Sequence, residues 1–332
     1  VSSPRVRTAK NEGEREVGCI APPKAFVLEL TNHCNLRCVM CNFHSAVVTK
    51  KREKGFMSLP LARRLLDEIS KMSGESKPWV ALHGAGESLL HKDFVSILRY
   101  ASSHSNLDAG FLTNAVLLDR SRAEEVLDTG ISWIGFSIDG NDKDKFNRYR
   151  LGAEYDRVVG NALEFIELSR IRRPDLLISV NMTLQEDMKG DVPAFVEFWL
   201  QHADKVSISP VRPVGSRINR LAQEGAPVAR IPCYMLYDMM VISWNGKAPL
   251  CCEDWFLDWP LGDTSLHDLG SIWEGEGYMT ARSLHEKGDF DRIPLCASCN
   301  SWHNALPEIF TDEKLGYSVT KIAWQHEYRK NR

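Results

Sequence analysis

The sequence predicts an α/β protein: a partial, TIM-like (β/α)6 barrel with a small C-terminal domain of β-hairpin and helix. Three observations predict it. Short apolar segments alternate six times with amphipathic helical segments between residues 26 and 211. That rhythm stops after "RPVGSR" (212–217). Eight of the nine cysteines fall into two groups, 34–41 and 233–299. Alternation at about 30 residues per unit implies parallel strands joined by right-handed crossovers. Six units are too few to close an eight-stranded barrel; they fit a partial barrel or an open doubly wound sheet, and in either the loops leaving the strand ends form the rim of the site.

Residues 1–24 read as an extended arm closed by Pro22 and Pro23. The barrel is expected over 25–215 and the C-terminal domain and tail over 216–332. "FVLELT" (26–31) is the first strand and the cysteine loop follows it directly. "LARRLLDEISKM" (61–72) has helical periodicity, with Ser58 placed to cap it. "WVALHG" (79–84), "AGFLTN" (109–114) and "WIGFSIDG" (133–140) read as strands. The helices between them are "DFVSILRYASS" (93–103) and "RAEEVLDTG" (122–130), the second closed by Gly. The long amphipathic helix "AEYDRVVGNALEFIELSR" (153–170) leads to the strand "LLISVNMTL" (176–184). "VPAFVEFWLQHA" (192–203) is helix and "KVSISPV" (205–211) the sixth strand. Beyond a linker-like stretch, "YDMMVISWNGKAPLCC" reads as a hairpin turning at Asn245-Gly246.

The 332 residues are 43% apolar and 26% charged, a globular balance, and the formal net charge of -3 leaves no basic footprint for nucleic acid. No apolar run approaches the roughly 20 residues that cross a bilayer. "VSSPRVRTAKNEGEREVG" has no hydrophobic core of a secretory signal. A cytoplasmic protein is expected, without nucleic acid or membrane partners. In a reducing compartment, an odd number of clustered cysteines points to metal or redox chemistry rather than disulfides. Cys19 stands alone as a free thiol.

The first group is C-x-x-x-C-x-x-C: Cys34, Cys38 and Cys41. Zinc wants four ligands, and only His33 and His44 are near enough to complete the set. A [4Fe–4S] cluster usually takes four thiolates, so three would leave one iron open to a chelating ligand. The second group, Cys233, Cys251, Cys252, Cys296 and Cys299, would supply four thiolates for another cluster or for zinc. Neighbouring strand residues point to opposite faces, so Cys251 and Cys252 do not easily ligate together.

C-x-x-x-C-x-Φ-C after an opening strand, with Met40 as Φ, resembles the signature of the radical S-adenosylmethionine (radical SAM) superfamily. "HGAGES" (83–88) resembles the family's Gly-Gly-Glu-Pro motif, departing at Ala85 and Ser88, and "FSIDG" and "VNMTL" end the fourth and fifth strands. The resemblance covers about residues 25–212. It implies a SAM-binding [4Fe–4S] cluster on Cys34, Cys38 and Cys41. It places Gly84, Gly86 and Glu87 at the methionine amino group, Ser137 and Asp139 near the ribose, Asn181 at ribose or carboxylate, and Phe43 near adenine. "CCEDW" followed by "LGDTSLHDLGSIW" and C-x-x-C resembles the family's SPASM/Twitch extension. That implies one auxiliary [4Fe–4S] cluster on Cys233, Cys251, Cys296 and Cys299, with Cys252 spare.

The implied chemistry is reductive cleavage of SAM, with one electron from a flavodoxin or ferredoxin, and hydrogen-atom abstraction from a substrate C–H bond. A spare thiol at Cys252 returning hydrogen from the opposite face would give epimerisation. Loss of a second electron and a proton would give dehydrogenation, and attack on a neighbour would give a modified peptide. The 24-residue arm is short for a leader-binding domain, so a small polar substrate of sugar, aminoglycoside or aminocyclitol type is expected. Arg212, Arg217 and Asp254 are candidate substrate contacts. An iron–sulfur electron carrier is the non-enzymatic alternative.

Overall fold

In the computed structural model of the chain, the described residues are 20–44, 51–211, 230–297, 299, 301–302, 307–312, 317–322 and 325–330. Cys19, Arg212 and Arg217 lie outside them. Six parallel strands run β1 (Ala25–Leu28), β2 (Trp79–Ala81), β3 (Asp108–Thr113), β4 (Trp133–Ser137), β5 (Leu177–Leu184) and β6 (Lys205–Pro210). They lie side by side in sequence order, the arrangement that right-handed βα repeats produce. Phe26, Leu28, Phe111, Phe136 and Val180 point from the strands into the core shared with the helices.

Helix α1 (Leu59–Ser73) shows how local sequence sets these elements. Ser58 is extended and its Oγ accepts from Leu61 N at 3.3 Å. Pro60 costs nothing in the first turn, where its missing N–H would be unpaired anyway. Ala62, Leu65, Leu66 and Ile69 recur at helical spacing and are buried, at about 1.5–3 kcal/mol for each large side chain. Gly74 ends the helix at φ +56°.

Three features depart from expectation. The loop after β4 contains a further helix, α2 (Lys143–Tyr149), whose N-cap Asp142 accepts from Lys145 N and whose Phe146 is buried. The Asn245-Gly246 turn forms, with Ser243 N donating to Lys247 O at 2.8 Å and Gly246 at φ +84°, but its arms do not make a hairpin. The first, β7 (Met239–Ile242), lies parallel to β1 as a seventh barrel strand. The second, β8 (Lys247–Pro249), pairs antiparallel with β9 (Pro260–Asp263), and Pro249 offers no N–H to carry a ladder further. Beyond β6, β12 (Gln325–Lys330), β11 (Tyr317–Ile322) and β10 (Pro307–Asp312) continue the sheet antiparallel. Antiparallel strands need only short connections, so they fall outside a βα rhythm.

The C-terminal domain is bonded to the barrel and to the segment that precedes it. Leu269 N donates to Glu68 Oε2 (2.9 Å), Arg64 Nη2 to Thr264 O (2.7 Å) and Trp273 Nε1 to Ala21 O (2.9 Å). Among the described residues no helix is long and apolar enough to cross a membrane.

Candidate active site

The chain leaves β1 through Glu29–Asn32 and enters the cysteine loop, which folds back over the strand ends. Arg37 N and Val39 N donate to Leu151 O and Tyr149 O, each at 2.9 Å, tying the loop to the end of α2. Leu36 is buried beneath it. Cys34, Cys38 and Cys41 thus border one cavity of about 480 Å³, together with Met40, Phe43, His44 and Trp255.

The loop after β2 forms the second wall. Gly86 is required there: a Cβ would lie 2.2 Å from His33 O, and Glu87 N donates to that same carbonyl at 2.8 Å. Gly84, Gly86 and Glu87 all border the cavity. Glu87 is 3% exposed and firmly held. Its Oε1 accepts from Thr113 Oγ1 (2.9 Å) and Leu89 N (3.2 Å), and its Oε2 from Asn114 N (2.8 Å). Burial raises its pKa, and those three donors oppose the rise.

Of Ser137, Asp139 and Asn181, the candidates at the strand ends, only the first lines the cavity. Ser137 borders the cavity, whereas Asp139 does not; it is 0% exposed. Its Oδ2 accepts from Arg150 Nε at 2.7 Å and its Oδ1 from Thr183 N at 2.6 Å, so the carboxylate is held by protein. Arg150, just beyond α2, reaches the cavity instead, and its charge lowers the pKa of Cys38 and Cys41 against burial. Asn181 also stops short of the cavity and donates to Ser179 Oγ at 3.2 Å. Thr183, two residues further along the same face of β5, borders it. Arg150, Thr113 and Asn114 were not legible as site residues; the polar pair "TN" at the end of β3 was the available signal.

A second cavity of about 280 Å³ adjoins the first, sharing Phe43, His83, Gly84, Ala85 and Cys252. Its polar wall is Glu29, Arg52, Ser243 and Asp254, and Trp79 forms part of its apolar wall. Glu29 and Arg52 are a buried ion pair, and Arg52 also donates to Ser243 Oγ (3.3 Å). Asp254 accepts from Asp258 N (2.9 Å) and Trp259 N (3.1 Å), capping a turn. His83 Nδ1 accepts from Leu112 N (3.3 Å), which leaves its proton on Nε2, and burial lowers its pKa to about 4.

Adjacent Cys251 and Cys252 diverge. Cys252 borders both of these cavities, with its Sγ 3.9 Å from Met235 Sδ. Cys251 borders the second cavity but not the first, and also a tight space of about 30 Å³ with Cys233, Cys296 and Cys299. The largest of the cavities described, about 570 Å³ beside Gly262 and Gly277, is bordered by no cysteine.

Burial raises thiol pKa values in both sets. Burial raises Cys34 and Cys233 to about 11 and Cys251 well above its ordinary value, so each waits as a thiol until a cation compensates the thiolate. Backbone amides already point at sulfur: Leu36 N at Cys34 Sγ and Ser301 N at Cys299 Sγ, each 3.5 Å. Among the described residues, no three His, Cys, Asp or Glu groups converge as ligands of one ion would. Each set does border a single space, Cys34, Cys38 and Cys41 the one of about 480 Å³ and Cys233, Cys251, Cys296 and Cys299 the one of about 30 Å³, and thiolates are the ligands an iron–sulfur cluster takes.

Comparison with known families now identifies the class. The radical SAM superfamily model matches residues 28–188, and the iron–sulfur cluster-binding SPASM domain model matches residues 233–300. The chain belongs to the radical SAM superfamily and carries a C-terminal SPASM domain. Its cofactors are therefore a [4Fe–4S] cluster with SAM, and auxiliary iron–sulfur in the SPASM domain.

Among individual proteins, Fe-coproporphyrin III synthase of Methanosarcina barkeri is 25% identical over 173 residues, covering 52% of this chain and 39% of the relative. SuiB of Streptococcus suis, bound to precursor peptide SuiA, superposes with a TM-score of 0.65 at 17% identity, over 85% of this chain and 72% of SuiB. BtrN in complex with AdoMet and 2-DOIA gives 0.58 at 17% identity, over 84% and 93%. The structural likenesses speak for the fold. The chain spans about half the length, or less, of the curated relatives that it matches.

Proposed function

We propose that this protein is a cytoplasmic radical SAM epimerase acting on a compact polar substrate of sugar, aminoglycoside or aminocyclitol type. One observation carries the reading: Cys252 borders the cavity that holds Cys34, Cys38 and Cys41, while its neighbour Cys251 borders the space with Cys233, Cys296 and Cys299.

In this reading Cys34, Cys38 and Cys41 hold the SAM cluster, and Cys233, Cys251, Cys296 and Cys299 hold one auxiliary [4Fe–4S] cluster. Glu87, fixed by its three donors, accepts from the methionine ammonium, with Gly84 and Gly86 allowing close approach. Met40, Phe43, Ser137, Arg150 and Thr183 line the remainder of the SAM seat. When bound, SAM and its cluster supply one-electron cleavage and abstraction of a hydrogen atom from a substrate C–H bond. The Cys252 S–H bond then breaks as a new C–H bond forms on the opposite face of that carbon. The sulfur radical left behind takes one electron, from a reductant of flavodoxin or ferredoxin type, and one proton from water. The side cavity suits a small polyol: Arg52 and His83 Nε2–H donate, Asp254 accepts, and Trp79 offers an aromatic wall.

Dehydrogenation is the second reading. It draws on the smaller shared cavity, which borders Cys251 as well as Cys252 and so sets a substrate beside the auxiliary thiols. Radical modification of a peptide, as the SuiB complex with its precursor peptide suggests, is a further alternative.

The test is turnover in D₂O with candidate substrates. Epimerisation places one deuterium on the inverted carbon, and Cys252→Ala abolishes that product while 5′-deoxyadenosine is still formed. A product two hydrogens poorer, retained in Cys252→Ala, would establish dehydrogenation. No 5′-deoxyadenosine from reduced, reconstituted protein would leave an electron carrier.

A further inference from the structure

We propose that His285 is a positioning residue that sets the redox potential of the auxiliary cluster by donating a hydrogen bond to the sulfur of Cys296. This rests on the reading of Cys233, Cys251, Cys296 and Cys299 as that cluster's ligands.

His285 closes the helix Glu276–Glu286 and is 2% exposed. Its two ring nitrogens face two different members of the thiol set. Nδ1 lies 3.2 Å from Cys233 N. A backbone amide there is only a donor, so Nδ1 is the acceptor and the ring proton sits on Nε2. Nε2 lies 3.4 Å from Cys296 Sγ, within hydrogen-bond reach of sulfur. The tautomer thus follows from geometry, and the N–H is aimed at the thiol. The ring is locked: Phe290 meets it edge-on at 5.1 Å, and the Arg230 guanidinium lies over Phe290 at 4.1 Å. Arg230 Nη2 also donates to Cys296 O at 2.7 Å, holding the ligand's backbone.

Hydrogen bonds to the sulfurs of an iron–sulfur cluster are among the factors that set its potential. The reduced cluster carries the greater negative charge, so an N–H aimed at sulfur favours it and raises the potential. A purely packing histidine would have no reason to satisfy one ligand's amide while pointing its only N–H at another ligand's sulfur. Within the proposed epimerase, this would set how readily an electron resides next to the Cys252 side of the substrate cavity.

The experiment uses the full chain carrying Cys34→Ala, Cys38→Ala and Cys41→Ala, which leaves the auxiliary cluster as the only one. Redox titration followed by EPR is run on this parent, on His285→Leu and on His285→Gln. His285→Leu is expected to lower the reduced-to-oxidised ratio at fixed potential about tenfold, a shift of about 59 mV to more negative values. His285→Gln keeps a donor for sulfur and an acceptor for Cys233 N, and is expected to stay within about threefold of the parent. An unchanged midpoint in His285→Leu, or equal shifts in both variants, overturns the proposal. If His285→Leu does not hold its cluster, the parent labelled with ¹⁵N-histidine decides. A ¹⁵N coupling to the reduced cluster in pulsed EPR supports the hydrogen bond, and its absence refutes it. A parent that retains no iron overturns the ligand set, and the proposal with it; a loaded parent with unresponsive variants overturns the proposal alone.

Discussion

Replacing Asp139 by Asn separates two roles for a residue that the sequence alone would place at the ribose. Its oxygens accept from Arg150 Nε (2.7 Å) and Thr183 N (2.6 Å), and both members of the ion pair are buried, with side-chain exposures of 9% for Arg150 and 0% for Asp139. An amide keeps one acceptor and turns an NH₂ toward the other donor. Arg150 is then left buried without an anion, which costs about 3–5 kcal/mol. At about 2.1 cal/mol/K per residue, 332 residues give an unfolding entropy of about 0.7 kcal/mol/K, so Tm should fall by about 4–7 °C. Removing both partners, in Asp139→Leu/Arg150→Leu, should recover part of that loss, because no unpaired charge remains although Thr183 N loses its acceptor. The assay is anaerobic thermal unfolding of wild type, both single variants and the double variant, beside SAM binding by each. If Asp139→Asn keeps its Tm within about 1 °C and loses SAM affinity alone, the ion-pair account is wrong and a direct contact with SAM is right.

Cys251→Ser should lower the iron content of the SPASM domain, whereas Cys252→Ser should leave iron and sulfide counts unchanged; the reverse would exchange the roles of the two thiols. Gly86→Ala puts a methyl group 2.2 Å from His33 O, so the loop must shift. SAM affinity should fall at least tenfold, about 1.4 kcal/mol, read from the spectral response of the reconstituted cluster; an unchanged affinity would show that the loop yields freely. The metal-free chain should lose stability as pH rises from 9 towards 11. Cys34 and Cys233 are raised from 9.0 to about 11, so across that window the unfolded chain has released protons that the folded chain still holds. Urea unfolding at a series of pH values checks the sign. For the same reason loading should release protons and be favoured by alkaline pH, measurable with an indicator dye in weak buffer.

Much of the site could be read from the chain because its chemistry lies on contiguous stretches. The three cysteines of the first loop and Gly86-Glu87 follow strands, Ser137 ends one, and a parallel strand delivers its C-terminal end to one rim. What failed was pairing at a distance. Asp139 looked available until Arg150, at the far end of a short helix, took its carboxylate. Asn181 and Thr183 share a face of β5, and only the depth of the cavity chooses between them. β7 reads as the arm of a hairpin because its turn is strong, yet its hydrogen bonds go to β1, more than 200 residues earlier in the chain.

The amino-acid sequence by itself determined the α/β repeat, the thiol spacing and the glycines of the cofactor loop, since periodicity, short-range spacing and backbone freedom are local properties. Tertiary structure alone decided which of two adjacent cysteines faces the cavity of Cys34, Cys38 and Cys41, which carboxylate is already paired, and which histidine nitrogen faces Cys296. Those outcomes depend on partners brought together by packing, and no residue announces its distant neighbour.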